Sequence, residues 1–198
     1  MQINLEIEYK TLLSLGEYDQ LAKYFRHLKP IRQTNHYFDS HDLKLRENKL
    51  SLRIRTFDNK AEMTLKIPQT VGNLEHNVAL TLDEARDILK RKKLPENDTK
   101  IQKITNILQN MAINVSDITV LGALTTIRRE CQSKIGLMAL DKNDYLGKID
   151  YELELEVKDA KTGEIAFDNF LSDNHIEYRY ARSKVVRFLE ALNKLPYI

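Results

Sequence analysis

The chain has 198 residues, with 31 Lys and Arg nearly cancelled by 29 Asp and Glu, for a formal net charge of +2. That balance gives no bulk electrostatic case for nucleic acid, so charge can matter only through its local arrangement. A single cysteine, Cys131, excludes an internal disulfide framework. No apolar run reaches bilayer length, and the N-terminus lacks the basic and apolar regions of a signal peptide, so a cytoplasmic protein is expected.

The first element is a strand around Glu6-Ile7-Glu8-Tyr9-Lys10. Alternation puts Glu6, Glu8 and Lys10 on one face and Leu5, Ile7 and Tyr9 on the other. Ser14-Leu15-Gly16-Glu17 is a capping box that opens a helix to about His27 or Leu28, with Tyr18, Leu21, Ala22, Phe25 and Leu28 as its apolar stripe. Tyr37-Phe38-Asp39 is a short extended piece. Leu50 to Arg55 alternates strictly, Leu50, Leu52 and Ile54 standing opposite Ser51, Arg53 and Arg55. Asp58-Asn59 turns the chain into a second alternating run, Glu62 to Ile67, which Pro68 ends. A further strand covers Leu74 to Leu80.

Thr81-Leu82-Asp83-Glu84 is a second capping box, for a helix toward Lys90. Asp98 or Thr99 caps a helix carrying Ile101, Ile104, Leu108 and Met111. Strands return at Leu121 to Gln132, Lys134 to Asp141 and Lys148 to Val157, with turns at Gln132-Ser133 and at Asn143-Asp144 near Gly147. A loop from Asp159 to Gly163 leads to a short helix over Ala166 to Ser172. The last helix starts after Ser183 and carries Val186, Leu189 and Leu192. No repeat, low-complexity tract or Pro/Gly/Ser linker interrupts the chain, so one domain over residues 1–198 is expected. Strands joined by tight turns favour an α+β fold with an antiparallel sheet, and closure into a barrel would remove exposed edges.

Charge segregates along these strands. Asp150, Glu152, Glu154 and Glu156 share one face, while Ile149, Tyr151, Leu153, Leu155 and Val157 share the other. A solvent-facing side explains any one strand alone. Four acids in a row repel, however, unless cations lie opposite, and Lys10, Arg53, Arg55, Lys66 and Arg128 recur at period two on other strands. The pattern predicts a shared charged interior with apolar faces turned outward under the helices. Such an interior needs water or a ligand. A polyanion carrying divalent cations satisfies both signs, with Arg and Lys on phosphate oxygens and carboxylates on Mg²⁺ or Mn²⁺.

These residues resemble the signature of the CYTH superfamily, the triphosphate tunnel metalloenzymes. The likeness runs from Glu6, Glu8 and Lys10 through Tyr37-Phe38-Asp39, Arg53, Arg55, Lys66, Glu75, Arg128, Glu130, Asp141, Glu154 and Glu156 to Ser183-Lys184. The chain most resembles the uncharacterised CYTH proteins of Gram-positive bacteria. The resemblance implies an eight-stranded antiparallel closed β-barrel forming a tunnel, with helices packed outside. It also implies a metal-dependent hydrolase of triphosphate substrates, an inorganic triphosphatase type, using Mg²⁺ or Mn²⁺. Glu6, Glu8 and Lys10 would be catalytic. Glu6, Glu8, Asp141, Glu154 and Glu156 would hold metal or orient water. Lys10, Arg53, Arg55, Lys66, Arg128 and Lys184 would bind the triphosphate, with Glu75 and Glu130 as further contacts. For Asp150 and Glu152 the resemblance leaves two roles open, pairing partner or ligand.

The implied partner is a small triphosphate or polyphosphate, with no nucleic acid or membrane, and with room for a homodimer. Two alternatives stand beside hydrolysis: a class IV-type adenylyl cyclase, which needs an adenine pocket not legible in the sequence, and a non-catalytic polyphosphate or nucleotide sensor. The five histidines, His27, His36, His41, His76 and His175, lack zinc spacing and are expected mostly at the surface. Cys131 reads as a core residue. The basic run Lys90 to Lys93 reads as a helix C-terminus, and no P-loop sequence is present.

Overall fold

The computed structural model describes residues 1–95 and 97–192. Its strands are β1 (Gln2–Leu13), β2 (Ile31–Asp39), β3 (Ser51–Thr56), β4 (Ala61–Pro68), β5 (Asn73–Leu80), β6 (Thr119–Gln132), β7 (Leu137–Tyr145) and β8 (Lys148–Val157). They form the expected closed eight-stranded antiparallel barrel, in the order β1-β5-β4-β3-β2-β6-β7-β8. The helices are α1 (Leu15–Tyr24), α2 (Lys44–Glu47), α3 (Leu82–Arg91), α4 (Gln102–Asn110), α5 (Ala160–Asp173) and α6 (Lys184–Ala191). No helix among the described residues is long and apolar enough to cross a membrane.

The chain divides into two compact units, one of Met1–Leu5 with Thr34–Ala123 and one of Glu6–Gln33 with the chain from Leu124 on. In the first, β3, β4 and β5 form an antiparallel meander in which Leu52 pairs with Leu65 and Leu65 with His76. Leu52, Ile54, Met63, Leu65 and Val78 are buried against Ala85 and Ile88 of α3 and against Ile101, Ile104 and Leu108 of α4 and its N-cap. Burying aliphatic side chains of this size is worth about 1.5–3 kcal/mol each, which is what seats the helices on this face.

The second unit repeats the arrangement. Met138, Leu140, Leu153 and Leu155 of β7 and β8 pack beneath Tyr18, Leu21 and Phe25 from α1 and its C-cap, and beneath Phe167 and Leu171 of α5. Cys131 packs against the same cluster, as expected for a core residue. In both units the alternation therefore turns the apolar strand face toward helices and leaves the charged residues on the opposite face.

Four local expectations change. The turn expected at Asn143-Asp144 lies at Leu146-Gly147, both with positive φ (50° and 76°), between the paired Tyr145 and Lys148. Two left-handed residues are what a tight hairpin of this hand requires. Asn143 is instead a ladder residue, accepting from Thr126 Oγ1 at 2.7 Å and donating to Asp150 Oδ1 at 2.9 Å. The stretch read as a loop from Asp159 belongs to α5, because the Asp159 carboxylate accepts from the Thr162 N–H (2.9 Å) and caps the helix there. Both capping boxes form, but α1 stops at Tyr24, where the Leu28 N–H closes a turn on the Phe25 carbonyl at 3.0 Å. Finally, α4 starts at Gln102 without a side-chain cap, the Asp98 carboxylate being spent on the Lys100 N–H. Of the histidines, His27, His41 and His175 are exposed, whereas His76 is buried and His36 half-buried, both with imidazoles pushed down by burial.

Candidate functional site

In the second unit the charged face is assembled by strand register. The antiparallel pairing of β8 with β1 sets Glu156 opposite Glu8, Glu154 opposite Lys10 and Glu152 opposite Leu12. On its other edge β8 sets Glu154 opposite Ala139, Glu152 opposite Asp141 and Asp150 opposite Asn143. β6 then sets Arg128 opposite Asp141 and Glu130 opposite Ala139. Period-two geometry thus gathers the acids of β8 with Glu8, Lys10, Arg128 and Asp141 on one face.

Helix α6 adds Lys184, which lies far away in sequence. The strand-like segment before it is tied down: the Leu12 N–H donates to the Arg179 carbonyl (3.0 Å), and the Arg179 N–H donates to Thr11 Oγ1 (2.8 Å). The Arg179 guanidinium meets Glu17 at 2.6 Å. Burial pushes the Glu17 carboxyl up, but hydrogen bonds from Ser14, Arg179 and the Glu177 N–H outweigh it and hold it at about 2. The strap so fixed delivers Lys184 to three carboxylates, Glu154 at 2.5 Å, Asp141 at 3.0 Å and Glu152 at 3.1 Å.

Arg128 is gripped as firmly. Its Nε and Nη2 donate to the two oxygens of Asp141 at 2.8 and 2.6 Å, a bidentate fork, and Nη2 also reaches Glu154. Glu130 stands 3.9 Å from Nη1, so that edge of the guanidinium is only loosely engaged. Lys10 Nζ lies 2.5 Å from Glu8 Oε1. Burial lowers the Lys10 ammonium, but Glu8, Glu154 and Glu152 outweigh it and raise it above its ordinary value. Burial also opposes the charged forms of Lys184 and Arg128, and their carboxylate partners raise both despite it.

Glu152 and Glu154 of β8 part company. Burial pushes Glu154 up, yet Lys184, Arg128 and Lys10 together hold it well below the usual carboxylate range. Glu152, wholly buried, is raised by that burial and by the neighbouring Glu154 charge, against Lys184, Arg187 and Lys10. Two close carboxylates sharing one ammonium split in this way, one kept ionised and one pushed up.

Arg187, one helical turn after Lys184, is a functional neighbour the sequence reading missed. Its Nη2 donates to Glu152 and its Nε lies 3.2 Å from Asp150. Asp150 also accepts from Tyr145 Oη at 2.7 Å. Asp150 and Glu152 are accordingly pairing partners of Arg187. The i, i+3 spacing of Lys184 and Arg187 was a usable signal, masked by the apolar stripe of the same helix.

The first unit carries its own cationic set. Glu75 Oε1 lies 2.8 Å from Lys66 Nζ and 3.9 Å from Arg53. Its Oε2 accepts from Asn77 (3.2 Å) and Asn4 (3.4 Å). Burial pushes the Glu75 carboxyl up, but Lys66 and Arg53 outweigh it and hold it at about 2. Arg55 donates to Asn35 Oδ1 at 2.9 Å, lies 3.5 Å from Glu62, and stands 6.0 Å from the centre of the Phe57 ring. Asn4, Asn35, Asn77 and Phe57 were not legible as site residues, because neutral side chains leave no charge pattern.

Mg²⁺ or Mn²⁺ can be tested against these residues. Among the described residues, no three His, Cys, Asp or Glu side chains already converge as a metal-ready group. Both oxygens of Asp141 are committed to Arg128, and Glu154 is committed to Arg128 and Lys184. Glu8, which also meets Lys10, is the direct cross-strand partner of Glu156, and Glu6 follows on the same face. Like charges set opposite each other are unfavourable, and either an ammonium such as Lys10 or a hard divalent cation with oxygen ligands relieves them. The donor chemistry of Glu6, Glu8 and Glu156 fits such an ion.

The class these observations define is a closed antiparallel barrel with helix-covered apolar faces and with Arg, Lys and paired carboxylates on the strands' other face. The chain belongs to the CYTH family, whose domain profile matches residues 4–189. It is 35% identical to YjbK of Bacillus subtilis (strain 168), named as a candidate triphosphatase, over 196 residues covering 98% of this chain and 99% of YjbK. Among solved structures, a candidate adenylate cyclase from Bacillus halodurans superposes with a TM-score of 0.85 at 31% identity, covering 95% of this chain and 99% of that one. A Hippeastrum protein, HpAC1, described as having a dominant triphosphatase activity, shares the fold at TM-score 0.79 and 22% identity, with 94% of this chain and 96% of that one covered.

Proposed function

We propose that the chain is a divalent-metal-dependent triphosphatase that releases orthophosphate from a small triphosphate such as tripolyphosphate. The observation that carries this reading is the pair Arg128 and Lys184, two cations fixed by Asp141 and Glu154 on the sheet face that also bears Glu6, Glu8 and Glu156. Cations so held are oriented before any ligand arrives, which is the condition for stabilising charge that develops in a transition state. Membership of the CYTH family and the name of the 35%-identical relative support the same reading.

In this mechanism Lys10, Arg128 and Lys184 bind phosphoryl oxygens and stabilise charge on the equatorial oxygens of the terminal phosphorus. Glu6 and Glu8 orient a water molecule in line with the bond to be broken. Water adds to the terminal phosphorus as the bridging P–O bond breaks, pyrophosphate leaves, and the water's protons pass to carboxylate and solvent. Glu6, Glu8 and Glu156 would hold Mg²⁺ or Mn²⁺, which when bound would supply Lewis-acid stabilisation of the phosphoryl oxygens. Glu154 and Asp141 act by fixing Arg128 and Lys184, and Asp141 keeps this positioning role in place of direct metal ligation. Arg53, Arg55 and Lys66 form a second set suited to phosphate oxygens, oriented by Glu75 and Glu62, while Glu130 supports Arg128.

A second reading, adenylyl cyclase, is favoured by the name of the 31%-identical Bacillus halodurans relative. In it the ribose 3′-hydroxyl replaces water as the attacking group. Incubation with tripolyphosphate, ATP and thiamine triphosphate in Mg²⁺ or Mn²⁺, followed by product analysis, decides between them. Orthophosphate with pyrophosphate or the nucleoside diphosphate, lost on chelation by EDTA, is the expected result. Cyclic AMP with pyrophosphate supports the cyclase, and tight binding without product overturns both enzymes in favour of a sensor.

A further inference from the structure

The first strand runs on beyond one of its neighbours. The ladder between β1 and β8 begins with Ile7 opposite Val157, and Val157 is the last residue of β8. No residue of β8 therefore stands opposite Gln2–Leu5, although β1 continues without a break from Gln2 to Leu13. A strand edge that outruns its neighbour presents N–H and C=O groups, which are a template for one more strand.

The side chains of this stretch are uncovered as well. α5 covers the apolar face of β1 at Tyr9, whose ring lies 6.2 Å from that of Phe167. That cover stops short of the start of the strand. Ile3 and Leu5, on the same face, are 53% and 51% exposed, and Met1 is 45% exposed. Soluble proteins blunt such edges with charge, with proline or with a bulge. Met1-Gln2-Ile3-Asn4-Leu5 carries no charged side chain and no proline.

We infer that this edge is an interface between two copies of the chain, the Met1–Leu5 segments pairing antiparallel across a two-fold axis. The segment is complementary to itself, and that decides the occupant. Antiparallel pairing about Ile3 sets Ile3 opposite its own counterpart, Met1 opposite Leu5, and Gln2 opposite Asn4. Aliphatic side chains then cover one another on one face, and no like charges meet on either. A foreign strand would have to supply the same neutral alternation, whereas a second copy brings it by symmetry. One strand pair is small against the roughly 1,200–2,000 Å² that stable interfaces bury, so the dimer is weak and depends on concentration. Glu6, Glu8 and Lys10 lie outside the paired segment, so the inference stands apart from the triphosphatase reading.

Sedimentation velocity of the full chain from about 5 to about 500 µM, a range that brackets weak association, tests the proposal. The expected result is a weight-average mass that rises from one chain toward two. Amide hydrogen exchange of the Met1–Leu5 segment, read by mass spectrometry, should slow over the same range as ladder hydrogen bonds form. Ile3→Lys and Ile3→Glu, made at an exposed position, each set two like charges opposite one another. Each should weaken the dimer by about tenfold or more, the combined scale of a lost apolar contact and a like-charge pair. An equimolar mixture of the two variants should restore it, because opposite charges then meet. Far-UV circular dichroism confirms that both variants are folded. A chain that stays monomeric throughout overturns the proposal. Variants that dimerise like the parent also overturn it, since the interface then lies elsewhere, as does a mixture that associates no better than either variant alone. Exchange in the parent segment that does not change with concentration overturns the pairing of this edge.

Discussion

Replacing Arg187 by Met removes the guanidinium but keeps a long side chain of similar volume. Glu152 has 0% of its surface exposed and Arg187 only 8%, so neither charge is rescued by water in place. Deleting one partner of a buried ion pair costs about 3–5 kcal/mol, because the other charge is left uncompensated. Here Lys184, 3.1 Å from Glu152, and the raised Glu152 carboxyl itself soften the loss, which places the expected cost near the lower end, about 3 kcal/mol. For a chain of this length that is a fall in Tm of about 6–12 °C, against a total stability of about 5–15 kcal/mol. Thermal and urea unfolding followed by circular dichroism measure it. The second arm is Glu152→Gln in the Arg187→Met background: a neutral amide needs no cation, so at least half the lost stability should return. A single variant within about 1 kcal/mol of the parent, or a double variant whose losses simply add, refutes the view that Arg187 exists to neutralise Glu152.

Glu8→Gln and Glu156→Gln, each neutralising one member of the cross-strand acid pair, should cut phosphate release by about a hundredfold or more while leaving the melting curve in place; near-full activity in either sinks the metal assignment. Glu75 gives a pH prediction. Its folded carboxyl titrates at about 2 against an ordinary value of 4.5, so its ion pairs contribute fully above the ordinary value and are lost as pH falls toward 2. The contribution is roughly 3 kcal/mol, and urea midpoints measured between pH 6 and pH 2 should fall less steeply for Glu75→Gln than for the parent. Equal slopes would show that Glu75 carries no such linkage. Gly136→Ala meets both a positive φ of 149° and the Glu156 carbonyl, and should destabilise by about 1–3 kcal/mol in the same unfolding assay. Gly16→Ala, with open space around its Cβ, is the control that should not.

Strand alternation made much of this protein legible without coordinates. Leu52 with Ile54, and Leu153 with Leu155, could be assigned to a covered apolar face because period two separates them from Arg53, Arg55, Glu152 and Glu154 regardless of tertiary context. The capping boxes at Ser14 and Thr81 were equally local, each needing only residues three apart, and both form. Asn143-Asp144 misled because Asn and Asp favour turns, while the backbone required two left-handed residues and found them at Leu146 and Gly147. Asp159 was read as loop because a helix cap and a turn use the same side-chain hydrogen bond.

What the sequence determined by itself is therefore the charge segregation: which residues of each strand face helices and which face away, and hence that Glu6, Glu8, Lys10, Arg53, Arg55, Lys66, Arg128, Glu154 and Glu156 lie on charged strand faces. Only the tertiary structure decided the pairings. That Glu156 meets Glu8, that Asp141 forks Arg128, and that Lys184 arrives from α6 to touch Asp141, Glu152 and Glu154 all depend on register and on a tied-down strap. Alternation is a property of one strand, and a two-residue change of register would keep every face while exchanging every partner. Arg187 belongs to that second kind of information: its i, i+3 spacing from Lys184 was masked by the apolar stripe of α6, and its pairing with Glu152 and Asp150 exists because distant segments converge on one acidic strand.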